Sequence, residues 1–419
     1  IGLLFLVLIN VPIAIALGVV TTLAMYATQG AEILPNLALI MMDGATNFPL
    51  IAIPLFILAG AIMNASGISR RLIAFASALL GFIKGGLSMV TIGASMFFAE
   101  ISGSAVADVA ALGSILIPAM KEKGYPTPFA TAVTSSSATL AVIIPPSIPM
   151  ILYAVMSQSS VVQLFVAGII PGILGGFGMM GLSYWFARRH NYPVEEVFRL
   201  SRLWETFKDA LLAFTLPIII LGGIFGGFVT ATEGAGLAVM ASLVIGIVYR
   251  ELDLKHLKEA MVEGGVQTAV VMLLVAASVL VSHFLTEEKV PQTIAESIIS
   301  FTQNKYVVLG LLNVFFLVVG LFLHSAAAII LVVPIVMPLI HLVGIDPVHF
   351  GLIVTLNLGI GQQTPPVASV LVTACSVAKA DIWEVSKVNI YFIGVLFTVL
   401  MMVTYIPAIP MFLVELFYR

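Results

Sequence analysis

The chain has 419 residues, of which 60% are apolar and only 9% are charged, and its mean hydropathy is +1.15. Soluble domains are about 45–50% apolar and about 25% charged, so these values exclude a water-soluble globule and a disordered chain. The net charge of -3 excludes a basic surface for nucleic acid, and the single Cys375 excludes a disulfide framework. The composition therefore predicts an all-α polytopic membrane protein with about ten spanning helices of roughly 20 residues each.

The apolar runs of the first half predict five crossings and one re-entrant hairpin. The first run is already apolar at Ile1, so we expect the natural start to lie upstream. The stretch 86–120 is shorter than the roughly 40 residues that two crossings need, which predicts a hairpin with both ends on one side. Repeat 1 (1–186) is predicted to contain a truncated helix 1–9, a helix 13–28, a span 48–64, an interfacial arm 68–83, the hairpin 86–120, a broken span 126–156 and a span 161–186.

The second half repeats the first at a constant offset of 220 residues. Six landmarks keep this offset without a gap, so that Met41, Gly44, Pro118, Gly124, Pro145 and Pro146 correspond to Met261, Gly264, Pro338, Gly344, Pro365 and Pro366. An odd number of crossings inverts the second copy, and such inverted repeats are typical of secondary transporters. Repeat 2 (209–419) is predicted to contain spans 210–228, 234–249 and 260–284, an arm 290–303, a hairpin 306–340, a broken span 347–377 and a span 388–412.

The distribution of positive charge favours one orientation in the membrane. If the first hairpin opens to the cytoplasm, 15 of the 18 lysines and arginines lie inside, and only Lys289, Lys305 and Arg419 lie outside. This orientation predicts that both ends of the chain lie outside. It makes the segment 187–208, which is rich in arginine and aromatic residues, the cytoplasmic linker between the repeats.

Four places of irregular backbone are predicted at membrane depth, where such backbone survives only beside a cavity or a bound ion. Two are the hairpin tips at 102–104 and 324–326, and two are the helix breaks at 144–147 and 362–366. Prolines free carbonyls at each break, and the negative ends of half-helices favour cations, whereas the freed amides favour a carboxylate. One tip and one break per repeat thus predict an alkali-cation site beside an anion site. The alternative is that each Pro-Pro pair only kinks a helix.

Two polar features near these places each allow two interpretations. Asp108 lies one turn past Ser104, where it either senses a cation or makes a polar contact between helices. The run 134–139 either lines a substrate path or allows close helix packing. Its counterpart in repeat 2 contains Asn357, which is a candidate for contacting the ligand. Because no nucleotide-binding loop and no metalloprotease motif occur, an ion gradient or a separate subunit must drive any transport.

At these motifs the chain resembles the large membrane subunit of TRAP (tripartite ATP-independent periplasmic) transporters. The resemblance covers essentially the whole chain, with a departure at Ala231 and Gly234, and rests on 98–108, Pro118, 123–125, 144–147, 222–224, 230–233 and 363–366. It implies sodium-coupled uptake of an organic acid, of the sialic acid or C4-dicarboxylate class, across the bacterial inner membrane. It also implies an elevator, in which the hairpins and broken helices form a moving transport domain and the other helices form a scaffold.

The resemblance further implies the cofactor, the partners and, together with the positions of the tips and breaks, the site residues. Two or more sodium ions are expected as coupling ions, held by Ser102, Gly103, Ser104, Pro145, Ser325, Gly361, Thr364 and Pro365. The substrate is expected to contact Ser104, Asp108, Ser147, Asn357 and Gln363. The expected partners are a small four-helix membrane subunit of the Q type and a periplasmic substrate-binding protein of the P type.

Three alternatives stay open from the sequence. The first is a stand-alone sodium/anion symporter of the same architecture that works without a binding protein. The second is an intramembrane enzyme, which the missing catalytic motifs argue against. The third is a channel, which accumulation against a gradient would exclude.

Overall fold

The computed structural model describes Leu6, residues 11–195 and residues 197–418, without the side chains of 100–102. Of the expected helix 1–9, all but Leu6 lies outside the described residues. The described residues form no strand. Their helices in chain order are α1 (Ile13–Gln29), α2 (Leu34–Ala45), α3 (Ala52–Ala65), α4 (Ile68–Leu80), α5 (Gly86–Ser102), α6 (Ala105–Glu122), α7 (Thr127–Ala138), α8 (Ile148–Ser157), α9 (Val161–Arg189), α10 (Leu200–Phe225), α11 (Ala231–Val248), α12 (Leu254–Glu287), α13 (Val290–Phe301), α14 (Lys305–Phe322), α15 (Ser325–Val343), α16 (Pro347–Gly361), α17 (Ser369–Ala378), α18 (Ile382–Tyr405) and α19 (Ala408–Tyr418).

Eight helices of the described chain are long and apolar enough to cross a membrane. The polytopic all-α class is thereby confirmed. The other apolar helices are shorter, in part because a break divides each broken span into two. The first of the eight long helices, Phe48–Ala65, consists of α3 and the 3-10 turn Phe48–Ile51 that precedes it. The other seven are Val161–Arg189, Leu200–Phe225, Ala231–Val248, Leu254–Glu287, Lys305–Phe322, Ser325–Val343 and Ile382–Tyr405.

Both halves contain the same order of elements: an arm, a hairpin, a broken span and a last span. The first half has α4, α5–α6, α7–α8 and α9, and the second has α13, α14–α15, α16–α17 and α18. Helix α2 was not predicted from the sequence. Helices α9 and α10 reach into the expected linker, so that only 190–199 separates them. The final span is interrupted at Pro407, because proline cannot supply a helical N–H.

The ends of the helices follow from local chemistry. Gly103 ends α5 with a φ of 58°, a left-handed conformation that favours glycine. The Ser104 hydroxyl then accepts the N–H of Ala107 and begins α6. Thr230 and Glu233 form a capping box at the start of α11.

The helices pack in two groups, which are connected by the arms and also contact each other directly where α12 meets α15 and α3 meets α5. Helices α1, α2, α3, α10, α11 and α12 contact one another, while the hairpins contact the broken spans. Arm α4 lies between α10 and α5, and arm α13 contacts both α12 and α15. The second half of each hairpin also packs against the far half of the other repeat's broken span, α6 against α17 and α15 against α8. The four irregular places are therefore held within one packed group.

Candidate cation and substrate site at the two helix breaks

The tip of the first hairpin lies directly on the first helix break. The Ile148 N–H donates to the Gly103 carbonyl at 3.4 Å. A Cβ added to Gly103 would lie 2.9 Å from the Pro146 oxygen and 3.2 Å from the Ile148 nitrogen. Only a residue without a side chain fits this contact, so the tip and the break form one unit.

The Ser147 side chain makes two hydrogen bonds within the first break. Pro146 has no N–H to donate to the Val142 carbonyl, and the Ser147 hydroxyl donates to that carbonyl instead, at 2.7 Å. The same oxygen accepts the Met150 N–H at 3.5 Å and so begins α8. The carbonyl that the Pro-Pro pair was expected to leave bare thus has a protein donor. A carbonyl oxygen has two lone pairs, so the Val142 oxygen keeps a second one that could bind a cation.

The second hairpin also contacts the second break, through the end of α14 just before the tip at 324–326. The Val367 N–H donates to the Leu321 carbonyl at 3.3 Å. A Cβ added to Gly361, the last residue of α16, would lie 2.5 Å from the Gly320 Cα near the end of α14. The two backbones therefore touch without any side chain between them.

The carbonyls before the second Pro-Pro pair also have partners within the break. The Gln362 carbonyl accepts the N–H groups of Val370 and Leu371 at 3.2 and 3.5 Å, and the Gly361 carbonyl accepts the Thr364 N–H at 3.0 Å. The start of α17 is thereby fixed against the end of α16. A cation here would use the second lone pairs of these oxygens.

Gln363 is the centre of a buried polar network between the repeats. Its side-chain oxygen accepts from the Ser135 hydroxyl at 2.7 Å and from the Asn389 amide at 3.2 Å. Its amide nitrogen donates to the Ser135 carbonyl at 2.8 Å and to the Thr139 hydroxyl. The Ser136 hydroxyl donates to Asn389 at 2.6 Å. The polar face over 134–139 therefore binds the second break, and both polar ends of Gln363 already have protein partners.

Asn357 belongs to a second buried chain of polar side chains. Its amide donates to the Asn313 oxygen at 2.7 Å, and the Asn313 amide donates to the Thr404 hydroxyl at 3.1 Å. The Ser95 and Ser137 hydroxyls make a similar link, at 2.9 Å, between the first hairpin and the first broken span. In each repeat a side-chain hydrogen bond thus joins the hairpin to the broken span.

The predicted site residues fall at three kinds of position. Gly103, Ser104 and Ser147 lie where the first tip meets the first break, and Asp108, 1% exposed, follows in the first turn of α6. Gly361, Thr364 and Pro365 lie in the second break, and Ser325, 2% exposed, begins α15 beside the second tip. Gln363 and Asn357 lie in the networks, Pro145 lies in the first break, and the side chain of Ser102 lies outside the described residues.

A small crevice connects the first tip to the other group of helices. Ser104 and Ala107 form one wall, α3 forms the second with Gly60 and Asn64, and Glu263 and Gln267 of α12 complete it. Its volume is about 20 Å³, close to the space of one water molecule. An organic acid therefore needs the two groups of helices to separate.

The donor set at the tips and breaks suits an alkali cation. It consists of backbone carbonyls and the hydroxyls of Ser104, Ser147 and Thr364, which are hard oxygen ligands. The buried carboxylate of Asp108 adds a negative charge that favours a nearby cation. In the described part of the chain, no three His, Cys, Asp or Glu side chains are grouped to hold a metal ion.

Sequence reasoning missed Asn313 and Asn389, whose side chains are 3% and 0% exposed. Asn313 is a lone polar residue in an apolar span and Asn389 begins one, and polar groups at membrane depth are expected to have partners. That signal was present in the sequence, but it does not say which helix supplies the partner.

The sequence of the chain matches a protein-family model over residues 1–409. That family is described as "Tripartite ATP-independent periplasmic transporter, DctM component". The chain belongs to this family. It is therefore a TRAP large permease, a multi-pass protein of the bacterial inner membrane and, as predicted, a transporter component and not an enzyme.

Three relatives of known description extend the match. An isethionate TRAP transporter permease protein DctMQ of Oleidesulfovibrio alaskensis is 42% identical over 98% of this chain, which spans 64% of that longer relative. A C4-dicarboxylate TRAP transporter large permease protein of Pseudomonas aeruginosa is 37% identical, over 90% of this chain and 88% of its own length. A sialic acid TRAP transporter large permease protein of Vibrio cholerae is 36% identical over the same shares.

A solved structure has the same fold. The crystal structure of the Alcanivorax borkumensis YdaH transporter, described as having an unusual topology, aligns with a TM-score of 0.67. The alignment covers 96% of this chain and 97% of that one, at 15% identity. The likeness therefore concerns the fold alone.

Proposed function

We propose that this permease takes up an organic acid across the inner membrane together with two or more sodium ions. The contact of each hairpin with a helix break carries the proposal, because it gathers oxygen ligands and half-helix ends at two related places. The names of the three relatives include a sulfonate, a dicarboxylate and a sugar acid, which share an anionic oxygen group. Sialic acid and C4-dicarboxylates remain the substrate classes to test first, with isethionate added.

Sodium provides both the drive and the charge compensation in this proposal. The membrane potential contributes about 2.3 kcal/mol for each elementary charge moved through 100 mV. Two or more sodium ions with one carboxylate carry net positive charge inward, which the potential favours. The oxygen atoms of the first tip and break would hold one ion, and those of the second tip and break another.

The movement we propose is an elevator. The hairpins and broken spans pack as one group, joined across the repeats by Gln363, and would move together as the transport domain. Helices α1, α2, α3, α10, α11 and α12 would form the scaffold, and the two arms would connect it to the transport domain. The last spans α9 and α18 pack on the hairpins and broken spans and would move with them. The crevice at Ser104 supports this proposal, since its volume of about 20 Å³ requires separation before an acid can pass.

A periplasmic binding protein would deliver the acid, and a small four-helix membrane subunit would complete the permease. The test is uptake into proteoliposomes that contain the permease and the small subunit, with a panel of labelled acids. We expect accumulation under an inward sodium gradient, only when the cognate binding protein is present. Accumulation without that protein would favour the stand-alone symporter, and equal uptake with potassium would refute sodium coupling.

A further inference from the structure

Glu263 is the one acidic side chain among the described residues that line the crevice. It lies on α12 across from Ser104, with Asn64 of α3 on a neighbouring wall. The amide of Gln267, one turn further along α12, donates to the Glu263 carboxylate at 3.3 Å and holds it in place. The described lining includes no lysine or arginine that would neutralise it.

The packing of α12 fixes where this carboxylate stands. The neighbouring Gly264 is buried, and a Cβ added to it would lie 3.5 Å from the Leu58 Cα of α3. The two helices therefore approach closely at this level, and Glu263 faces the crevice beside that contact. Glu259, one turn earlier on α12, is also exposed but does not line the crevice.

The two walls of the crevice differ in the groups that they offer to a ligand. The Ser104 wall begins α6, and its N-terminal end, together with the sodium ion proposed beside Asp108, would favour the anionic group of an acid. The opposite wall presents a carboxylate and two side-chain amides, which favour a hydroxyl, amino or amide group. A second carboxylate at that end of the substrate would face Glu263 as a like charge.

We propose that Glu263 selects acids with a single negative charge and a hydrogen-bond donor at the other end, and disfavours dicarboxylates. This inference rests on the proposed function, because it concerns the acid that leaves through the crevice. Two charges about 8 Å apart, at an effective dielectric constant between about 80 and 20, repel enough to change affinity by a factor of about 2 to 30. Glu263→Gln removes this repulsion and keeps the size of the side chain.

The test uses acids enclosed in the proteoliposomes. The binding protein is outside the vesicles, so it cannot select among these acids. The first hairpin is predicted to open to the cytoplasm, so enclosed acids would reach this crevice. Succinate and its monoamide, succinamate, have the same length and differ by one charge. For each, the measurement is the internal concentration that halves sodium-driven uptake of the labelled substrate by the complete transporter.

We expect succinamate to inhibit the wild type at lower concentration than succinate. Glu263→Gln should lower the half-inhibitory concentration of succinate by a factor of about 2 to 30 and leave that of succinamate within about twofold. Glu263→Asp, which keeps the charge, and Glu259→Gln, which removes the same charge outside the crevice, should keep the wild-type ratio. An unchanged ratio in Glu263→Gln, or an equal shift for both acids, overturns the inference. If the wild type accumulates no acid under a sodium gradient, it is the proposed function that fails.

Discussion

Replacing Gly361 with alanine tests whether contact between the end of α14 in the second hairpin and the second break controls sodium coupling. The new Cβ would lie 2.5 Å from the backbone of Gly320, whereas carbon atoms at optimal separation are about 3.5–4.0 Å apart. The ends of α14 and α16 must therefore move apart by about 1 Å. Overpacking of this kind costs about 1–3 kcal/mol, which converts to a factor of about 5 to 150 in an equilibrium constant.

We expect the sodium concentration for half-maximal uptake to rise by a factor within that range, because the separation moves the oxygen ligands apart. The assay is uptake into proteoliposomes at varied sodium concentration and constant ionic strength, normalised to folded protein by size-exclusion chromatography. Gly394→Ala on α18 is the matched control, since a Cβ there has nothing within 4 Å. Wild-type sodium dependence in Gly361→Ala, together with correct folding, would refute the reasoning.

Three further substitutions test other parts of the account. Ser104→Ala removes a helix cap worth about 1 kcal/mol and a hydroxyl oxygen, so it should weaken sodium dependence more than membrane insertion; equal loss of inserted protein and uptake would mean a packing role. Gln363→Leu leaves the Ser135 hydroxyl without its buried acceptor, so melting in detergent should show a loss of about 1–3 kcal/mol; the exposed Gln303→Leu should not, and an equal melting temperature for both would contradict the network. Arg71→Ala removes the 2.7 Å ion pair with Glu251 and the stacking on Tyr249, so protease should cut arm α4 faster in membranes; an unchanged cleavage rate would show that these contacts do not hold the arm.

Much of the fold could be predicted because membrane depth imposes strict rules on the chain. The Pro-Pro pairs at Pro145 and Pro365 mark breaks that the structure has, and the lengths of the apolar runs predicted the arms and the hairpins. Helix α2 escaped prediction because Pro35 and Asn36 interrupt its apolar run, although proline is tolerated in the first turn of a helix.

The candidate site was harder to predict than the fold. Sequence spacing indicated that Ser147 and Gln362 lie at breaks, but it could not show that the Ser147 hydroxyl and the start of α17 supply donors to the freed carbonyls. It also placed Gln363 and Asn389 in separate elements, and only the folded chain brings them within 3.2 Å. Contacts between distant segments depend on helix rotation and tilt, which hydropathy does not fix.

The central claim is that the tips and breaks hold the coupling sodium ions, and melting of the purified permease in matched sodium and potassium chloride tests it most directly. A ligand that binds only the folded state stabilises it by about 2.7 kcal/mol at a hundred times its Kd. We predict a higher melting temperature in sodium, and a smaller difference between the two salts in Ser104→Ala and Gly361→Ala. Equal melting temperatures of the wild type in both salts, across the concentrations that support uptake, would contradict the claim.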